Sequence, residues 1–281
     1  MSERSAVILG GGGVTGIAWE TGILLGLADK GVDLAGADAI IGSSAGSFVG
    51  AYLAAGVVEK YFDAQFDDDV TEIAATMSED CIAAYLEAIA EGKDDPVRMA
   101  RSLGRMAVAA TTVSAEARAA VVAARLPSED WPAGPLQMTA LDAETGALHL
   151  FDKDSGVPIV TAAAASGAVP GLWPVVTALG RTWIDGGSCS PTNAALGADY
   201  DRVVVIAPAA DGLPGMRGTR SEVADLAAAG IDVILIVPDE HTTEAIGPNV
   251  FDPTRRGPAA AAGRLQGAAE ATKVGSALQQ F

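Results

Sequence analysis

The chain has 281 residues, enough to bury a substantial core in one large α/β domain or two small ones. It is 49% hydrophobic but only 5% aromatic, so that core must come mainly from Ala, Val, Leu and Ile. A formal net charge of -18 argues against nucleic acid as a partner and against tight docking on an anionic membrane, leaving at most a transient encounter with a membrane or micelle surface. No apolar run approaches the roughly 20 residues that cross a bilayer, and the N-terminus opens on strand-like Ala6-Val7-Ile8-Leu9 with no basic region before it. A cytoplasmic chain, at most peripheral to a membrane, is expected. Cys81 and Cys189 lie far apart and match no metal or redox spacing, so reduced thiols and no metal or other cofactor are expected. Nothing in the sequence sets an oligomeric state.

Ala6 to Leu9 reads as a first strand and runs into Gly10-Gly11-Gly12-Gly13-Val14-Thr15-Gly16. A helix from about Ile17 to Lys30 follows, with Gly31 as its stop. Gly11, Gly13 and Gly16 satisfy G-x-G-x-x-G, so one reading of this loop is a nucleotide or dinucleotide site. Such a site calls for an acidic residue at the tip of the second strand, about 20 residues on. Asp33 and Asp38 fall roughly in range, but the second strand, Ala37 to Ile41, ends instead in Gly42-Ser43-Ser44-Ala45-Gly46.

That stretch has the G-x-S-x-G spacing and leads into a small apolar helix, Ser47 to Ala55. Ser44 would sit on a sharp strand-to-helix turn, with Gly42 and Gly46 removing side chains that would clash. Its hydroxyl would face a helix N-terminus whose unpaired N–H groups favour negative charge on an alkoxide or a tetrahedral intermediate. The competing reading is an ordinary Gly-rich turn. Two consecutive strand ends carrying glycines favour a pairing in which backbone N–H groups of the first loop form an oxyanion hole for Ser44.

From Val57 to about Leu126 the pattern is helical, a cap-like insertion after the nucleophile helix. Acidic residues crowd its first part, including Asp67-Asp68-Asp69, Glu79-Asp80 and Asp94-Asp95, whereas Arg98, Arg101 and Arg105 follow on one helical face. Either the arginines reach toward a phosphate head group, or acidic and basic helices pair with each other and with water. The aspartates lack the ligand spacing of a calcium loop.

Leu136 to Ala143 and Ala147 to Asp152 read as a hairpin around Glu144-Thr145-Gly146. Pro158 to Ala165 follows as a helix, and Gly171-Leu172-Trp173-Pro174-Val175-Val176 is either an apolar lip for a hydrophobic substrate or a packed turn. Thr182-Trp183-Ile184 leads into Asp185-Gly186-Gly187, where an aspartate at a strand end could meet Ser44 as general base or orient a water. The bare motif also fits a simple turn. Arg202 to Ala207 and Ile231 to Val237 are buried strands around a helix from about Ser221 to Ala229, a β-α-β unit that supports a mainly parallel sheet. The Ala-rich tail after Gly257 is helical in period. No linker or repeat divides the chain, so residues 1–281 are taken as one domain with 57–126 inserted.

The order Gly11-Gly12-Gly13-Val14-Thr15-Gly16, Gly42-Ser43-Ser44-Ala45-Gly46 and Asp185-Gly186-Gly187 resembles the patatin-like phospholipase family. Ala165-Ser166-Gly167-Ala168-Val169-Pro170 also resembles the stretch that family places before its aspartate. The resemblance implies a three-layer α/β sandwich and a serine lipid acyl hydrolase, phospholipase, lysophospholipase or esterase, with a Ser/Asp dyad and no histidine. It would make Ser44 the nucleophile, Asp185 the base and the N–H groups around Gly11, Gly12 and Gly13 the oxyanion hole, with Gly16, Gly42, Gly46, Gly186 and Gly187 supporting the motifs and an acyl lipid or ester as substrate. The family usually carries Arg or Lys where Thr15 stands, which opens neutral esters, lysolipids and monoglycerides alongside intact phospholipids. A catalytically weak, lipid-binding member is the remaining alternative. Of the two histidines, His149 alternates with Leu148 and Leu150 on a strand and reads as structural or surface, while His241 would complete a Ser44, Asp185, His241 triad only if the fold were an α/β-hydrolase.

Overall fold

The computed structural model describes residues 3–67, 73, 76–93 and 95–279; Asp68, Asp69 and Asp94 of the acidic stretches lie outside these. In chain order the elements are β1 (Ser5–Leu9), α1 (Gly13–Ala28), β2 (Ala39–Gly42), α2 (Ala45–Ala54), α3 (Val58–Asp63), α4 (Glu79–Gly92), α5 (Pro96–Ala109) and α6 (Ala115–Arg125). They continue with β3 (Leu136–Asp142), β4 (Leu148–Phe151), α7 (Ile159–Ser166), β5 (Val176–Ala178), β6 (Arg181–Asp185), β7 (Arg202–Ile206), α8 (Thr219–Ala228), β8 (Asp232–Ile236), α9 (Glu240–Ile246) and α10 (Arg256–Gln279). Both helices after the glycine motifs begin earlier than propensity predicts. α1 starts at Gly13 and α2 directly after Ser44.

The sheet runs in the order β5-β6-β3-β2-β1-β7-β8, with β4 also paired to β3. β1, β2, β3, β7 and β8 are mutually parallel, and β4, β5 and β6 add antiparallel pairs at one side. Alternate residues of a strand face opposite sides, and here both sides are covered. Val7, Leu9, Ile40, Val204 and Ile206 pack beneath α1, α2, α7 and α10. Ala6, Ile8, Ile41, Val203 and Val205 face the other layer, which includes α8 and the turn at Ala194–Asp199. The result is a three-layer α/β sandwich, as expected.

The helices between β2 and β3 are divided between the layers. α4 and α5 form their own cluster against Leu141 and Ile184, whereas Val122 and Leu126, in and just after α6, join the main core. α1 and α10 cross backbone to backbone. A Cβ on Gly22 or Gly26 would collide with the Ala260 or Arg264 carbonyl, and one on Gly263 or Gly267 with the Trp19 or Ile23 carbonyl. Among the described residues, no helix is long and apolar enough to cross a membrane.

The register of β3 sets the geometry of the site. β4 occupies one edge of β3 from Met138 to Leu141. The other edge is shared: β2 pairs with Leu136 to Met138 in parallel, and β6 pairs with Ala140 to Asp142 antiparallel. β2 and β6 therefore lie in one lane and run toward each other, so their C-terminal ends, Gly42 and Asp185, face each other across the gap at Thr139.

Candidate active site

Ser44 follows the end of β2 at φ 53 and ψ -116, a region that costs a non-glycine residue on the order of 1–3 kcal/mol. The turn is closed by contacts that leave no room for change. A Cβ on Gly46 would collide with the Leu9 carbonyl, and one on Gly42 would lie 2.5 Å from the Gly46 carbonyl oxygen. The Ser44 N–H donates to Ser166 Oγ at 3.0 Å; the Ser166 and Ser47 hydroxyls are 2.6 Å apart, and Ser47 donates to the Gly42 carbonyl at 3.1 Å. This chain of hydroxyls fixes the backbone that carries Ser44.

Asp185 ends β6, 3% exposed, with its N–H donated to the Ala168 carbonyl. Gly186 must be glycine, because a Cβ there would collide with Thr139 Oγ1. Asp185 Oδ1 accepts the Gly187 N–H at 2.6 Å, and Oδ2 has no close hydrogen-bond partner among the described residues. Burial pushes the carboxyl up to about 7; the Ser44 hydroxyl, the Gly187 N–H and the Arg118 charge pull it the other way. Tyr85 and Cys189 also face this carboxyl, and burial together with its charge keeps both protonated.

Two further side chains join the loops. Asn193 donates from Nδ2 to Ser43 Oγ at 2.8 Å and to the Gly186 carbonyl at 2.9 Å, and Thr139 donates to the same Ser43 oxygen at 2.9 Å. Neither stood out in the sequence; an Asn eight residues after the aspartate was the available signal.

The glycine loop lies beside Ser44. A Cβ on Gly11 would touch Ser44 Cβ at 3.4 Å, but the Gly11 N–H is already donated to the Pro191 carbonyl at 2.8 Å. The N–H groups of Gly12 and Gly13 have no backbone acceptor among the described residues, and the same holds for Ala45 at the start of α2. Thr15 and Gly16 belong to the first turn of α1, where the Thr15 N–H and hydroxyl both bond the Val250 carbonyl and Gly16 packs against Pro208. Beneath them the buried Glu20 accepts the Gly10 N–H at 2.8 Å, and burial raises its carboxyl well above the usual range.

Ser44 opens on a cavity of about 30 Å³, also lined by Gly13, Ala45, Phe48, Arg118, Arg125 and Trp173. That volume admits a water or two, not an acyl chain. Of the two residues expected at an apolar lip, Trp173 lines this cavity, whereas Leu172 is buried and does not. Part of the lip segment, Val176, is strand β5. Neither histidine reaches the cavity: His149 packs on Phe151 and Trp183, and His241 is exposed on α9. Arg98, Arg101 and Arg105 are exposed and do not line it, and Arg105 pairs with Glu91 at 2.9 Å.

A family model described as Patatin-like phospholipase matches residues 7–196, from β1 through the Asp185 loop. Among solved structures the chain is similar to the type III effector protein ExoU, at 16% identity and TM-score 0.45, over 97% of this chain and 53% of that one. It is also similar to VipD from Legionella pneumophila, at 13% identity and TM-score 0.45, over 97% of this chain and 67% of that one. The chain thus spans about half the length of the ExoU chain. No curated protein matches it in sequence.

Proposed function

This chain belongs to the patatin-like phospholipase family, a family of lipid hydrolases, and we propose that it is a serine lipid acyl hydrolase with Ser44 as nucleophile and Asp185 as base. The observation that carries this reading is the meeting of two strand ends over Thr139, which brings a backbone-strained serine to a buried carboxylate with one oxygen unoccupied.

In the first step Ser44 Oγ attacks the ester carbonyl carbon and its proton passes to Asp185. The N–H groups of Gly12, Gly13 and Ala45 receive the negative charge on the carbonyl oxygen; Gly11, committed to Pro191, shapes the loop. The tetrahedral species collapses, the alcohol leaves with the proton from Asp185, and the acyl group stays on Ser44. Asp185 then takes a proton from water as the water oxygen attacks the acyl carbonyl; when this second tetrahedral species collapses, Asp185 returns the proton to Ser44 Oγ and the fatty acid leaves. A carboxyl pushed up to about 7 is suited to accept and return a proton near neutral pH. The cavity at Ser44 is narrow, so an acyl chain needs more room than it offers.

The nucleotide reading loses support on three counts. The Gly11 N–H is taken, Val250 packs on Gly13 and Thr15, and Asp33 and Asp38 lie before β2, at the opposite end of the sheet from the glycine loop.

The test is mass analysis after exposure to a lipid-like fluorophosphonate in detergent, which traps an activated serine. One adduct on Ser44, lost in Asp185→Asn, is the expected result. No adduct would sink the hydrolase reading and leave a lipid-binding family member.

A further inference from the structure

One buried carboxyl beneath the glycine loop has no part in the steps above. Glu20 of α1 is 0% exposed; its Oε1 accepts the Gly10 N–H at 2.8 Å, and its Oε2 has no hydrogen-bond partner among the described residues. Burying a carboxyl with one oxygen unmet costs folding free energy, and an apolar side chain of similar size would fill the space without that cost. The Gly10 N–H also donates to the Ile206 carbonyl at 3.0 Å, so the sheet alone already satisfies it. What the second acceptor adds is a fixed direction for the Gly10 backbone.

The peptide between Gly10 and Gly11 touches both reactive loops. Its carbonyl accepts the N–H of Gly46, just past Ser44, at 2.9 Å, and its N–H is donated to the carbonyl of Pro191, in the loop after Asp185, at 2.8 Å. The next two N–H groups, those of Gly12 and Gly13, are the ones assigned above to the oxyanion. A rotation of the Gly10 backbone would therefore disturb all three parts of the site, and a glycine has no side chain of its own to resist it. Glu20 supplies that resistance from the helix that Gly13 begins, so its bond to Gly10 ties the start of the loop to the element at its end. Burial raises the carboxyl well above the usual range and so favours the neutral acid; a carboxylate here would oppose the negative charge the loop receives. We propose that Glu20 is a positioning residue for the oxyanion hole, closing the Gly10–Gly13 loop with a carboxyl oxygen so that its N–H groups hold one direction toward Ser44. The proposal rests on the hydrolase reading above.

Glu20→Leu and Glu20→Met remove the acceptor while filling the space, and Glu20→Gln keeps an acceptor oxygen without the acid. The rate at which a fluorophosphonate labels Ser44 is measured in the full chain beside kcat and KM on a soluble short-chain ester and the urea midpoint. The oxygen on phosphorus uses the same N–H groups as the ester oxyanion, so labelling reads the loop directly. In the Leu and Met variants the labelling rate and kcat should each fall about tenfold, the effect of one lost hydrogen bond, with KM within about twofold and the urea midpoint not lowered. Gln should restore both rates to within about threefold of the unaltered chain. Labelling of the Leu and Met variants at the unaltered rate, or equal slowing in Gln, overturns the positioning role. A lowered midpoint with a raised KM, or failure of both apolar variants to fold, overturns it too, because Glu20 would then serve the fold and not the loop. Hydrogen exchange at the Gly10 amide needs no turnover: faster exchange in the Leu variant than in Gln is expected, and equal exchange overturns the clamp. Failure of the hydrolase reading looks different, with no adduct on Ser44 even in the unaltered chain, while exchange still tests the bond from Glu20.

Discussion

The two walls of the Ser44 cavity are built from different materials. On the sheet side the backbone itself makes the surface, and at Gly42, Gly46 and Gly186 an added methyl meets another backbone or a buried hydroxyl. On the other side the reach is made by long side chains from α6, and elsewhere between β2 and β3 the helix α4 leaves Ile82 and Leu86 45% and 46% exposed. The starts of α4, α5 and α6 carry local side-chain caps, Ser78, Asp95 and Ser114. One wall is thus set where backbone meets backbone, while the other is made of side chains that can be exchanged without disturbing the strands.

Substitutions on the two walls should differ accordingly. Gly46→Ala, on the rigid wall, is expected to cost about 3 kcal/mol or more and to abolish Ser44 labelling, since backbone cannot yield as a side chain can; urea unfolding with parallel labelling checks it. Asp185→Asn should lower kcat by about 10³-fold, the scale of a lost general base, yet raise stability at neutral pH. The sign follows from the carboxyl, whose pKa is raised by folding from 3.8 to about 7. Its protonated form favours the folded state, so stability is greatest at low pH and is lost as pH rises through 7. The melting temperature of the Asn variant should therefore pull ahead of the unaltered chain between pH 4 and 7 and hold its lead above. Over the same range kcat/KM of the unaltered chain should rise with pH and level off above about 7.

Smaller effects sharpen the contrast. Ser44→Gly should remove turnover while stabilising the fold by about 1 kcal/mol, because glycine relaxes the strain at φ 53; thermal unfolding measures the gain. Leu86→Ser, on the exposed face of α4, should change stability by no more than about 0.5 kcal/mol and leave turnover alone. A large loss there would show that α4 is as tightly built into the site as β2.

Much of this was legible in the sequence because strands announce themselves by period and motifs by spacing. β1, β2, the β3–β4 hairpin, β6 and the β7–α8–β8 unit all lie where alternation or apolar runs put them. The failures have local causes. Gly13 to Gly16 have poor helix propensity, and their turn of α1 is held by the Val250 carbonyl, a contact over 200 residues away in sequence. β5 is three residues at a sheet edge behind Pro174, and α9 reads as polar and β-branched; its one signal was Asp239, whose side chain caps the Thr242 N–H. In the site, Ser44 and the Asp185 loop were readable because glycine spacing betrays close backbone approach. Arg118 was not, since an arginine in an Ala-rich helix looks like any solvated charge until the fold turns its face inward. Arg125, seven residues on, was the hint.

The shared lane along β3 has a consequence for how such a site can change over time. The separation between the two facing strand ends is measured off on a third strand, like marks on a ruler, and β4 grips the back of that ruler. Whole helices can be inserted, lengthened or exchanged between β2 and β3, or between β4 and β6, without altering the interval at Thr139. The spacing of the Ser44 and Asp185 loops is a fixed gauge, and what hangs around it can be refitted without resetting it.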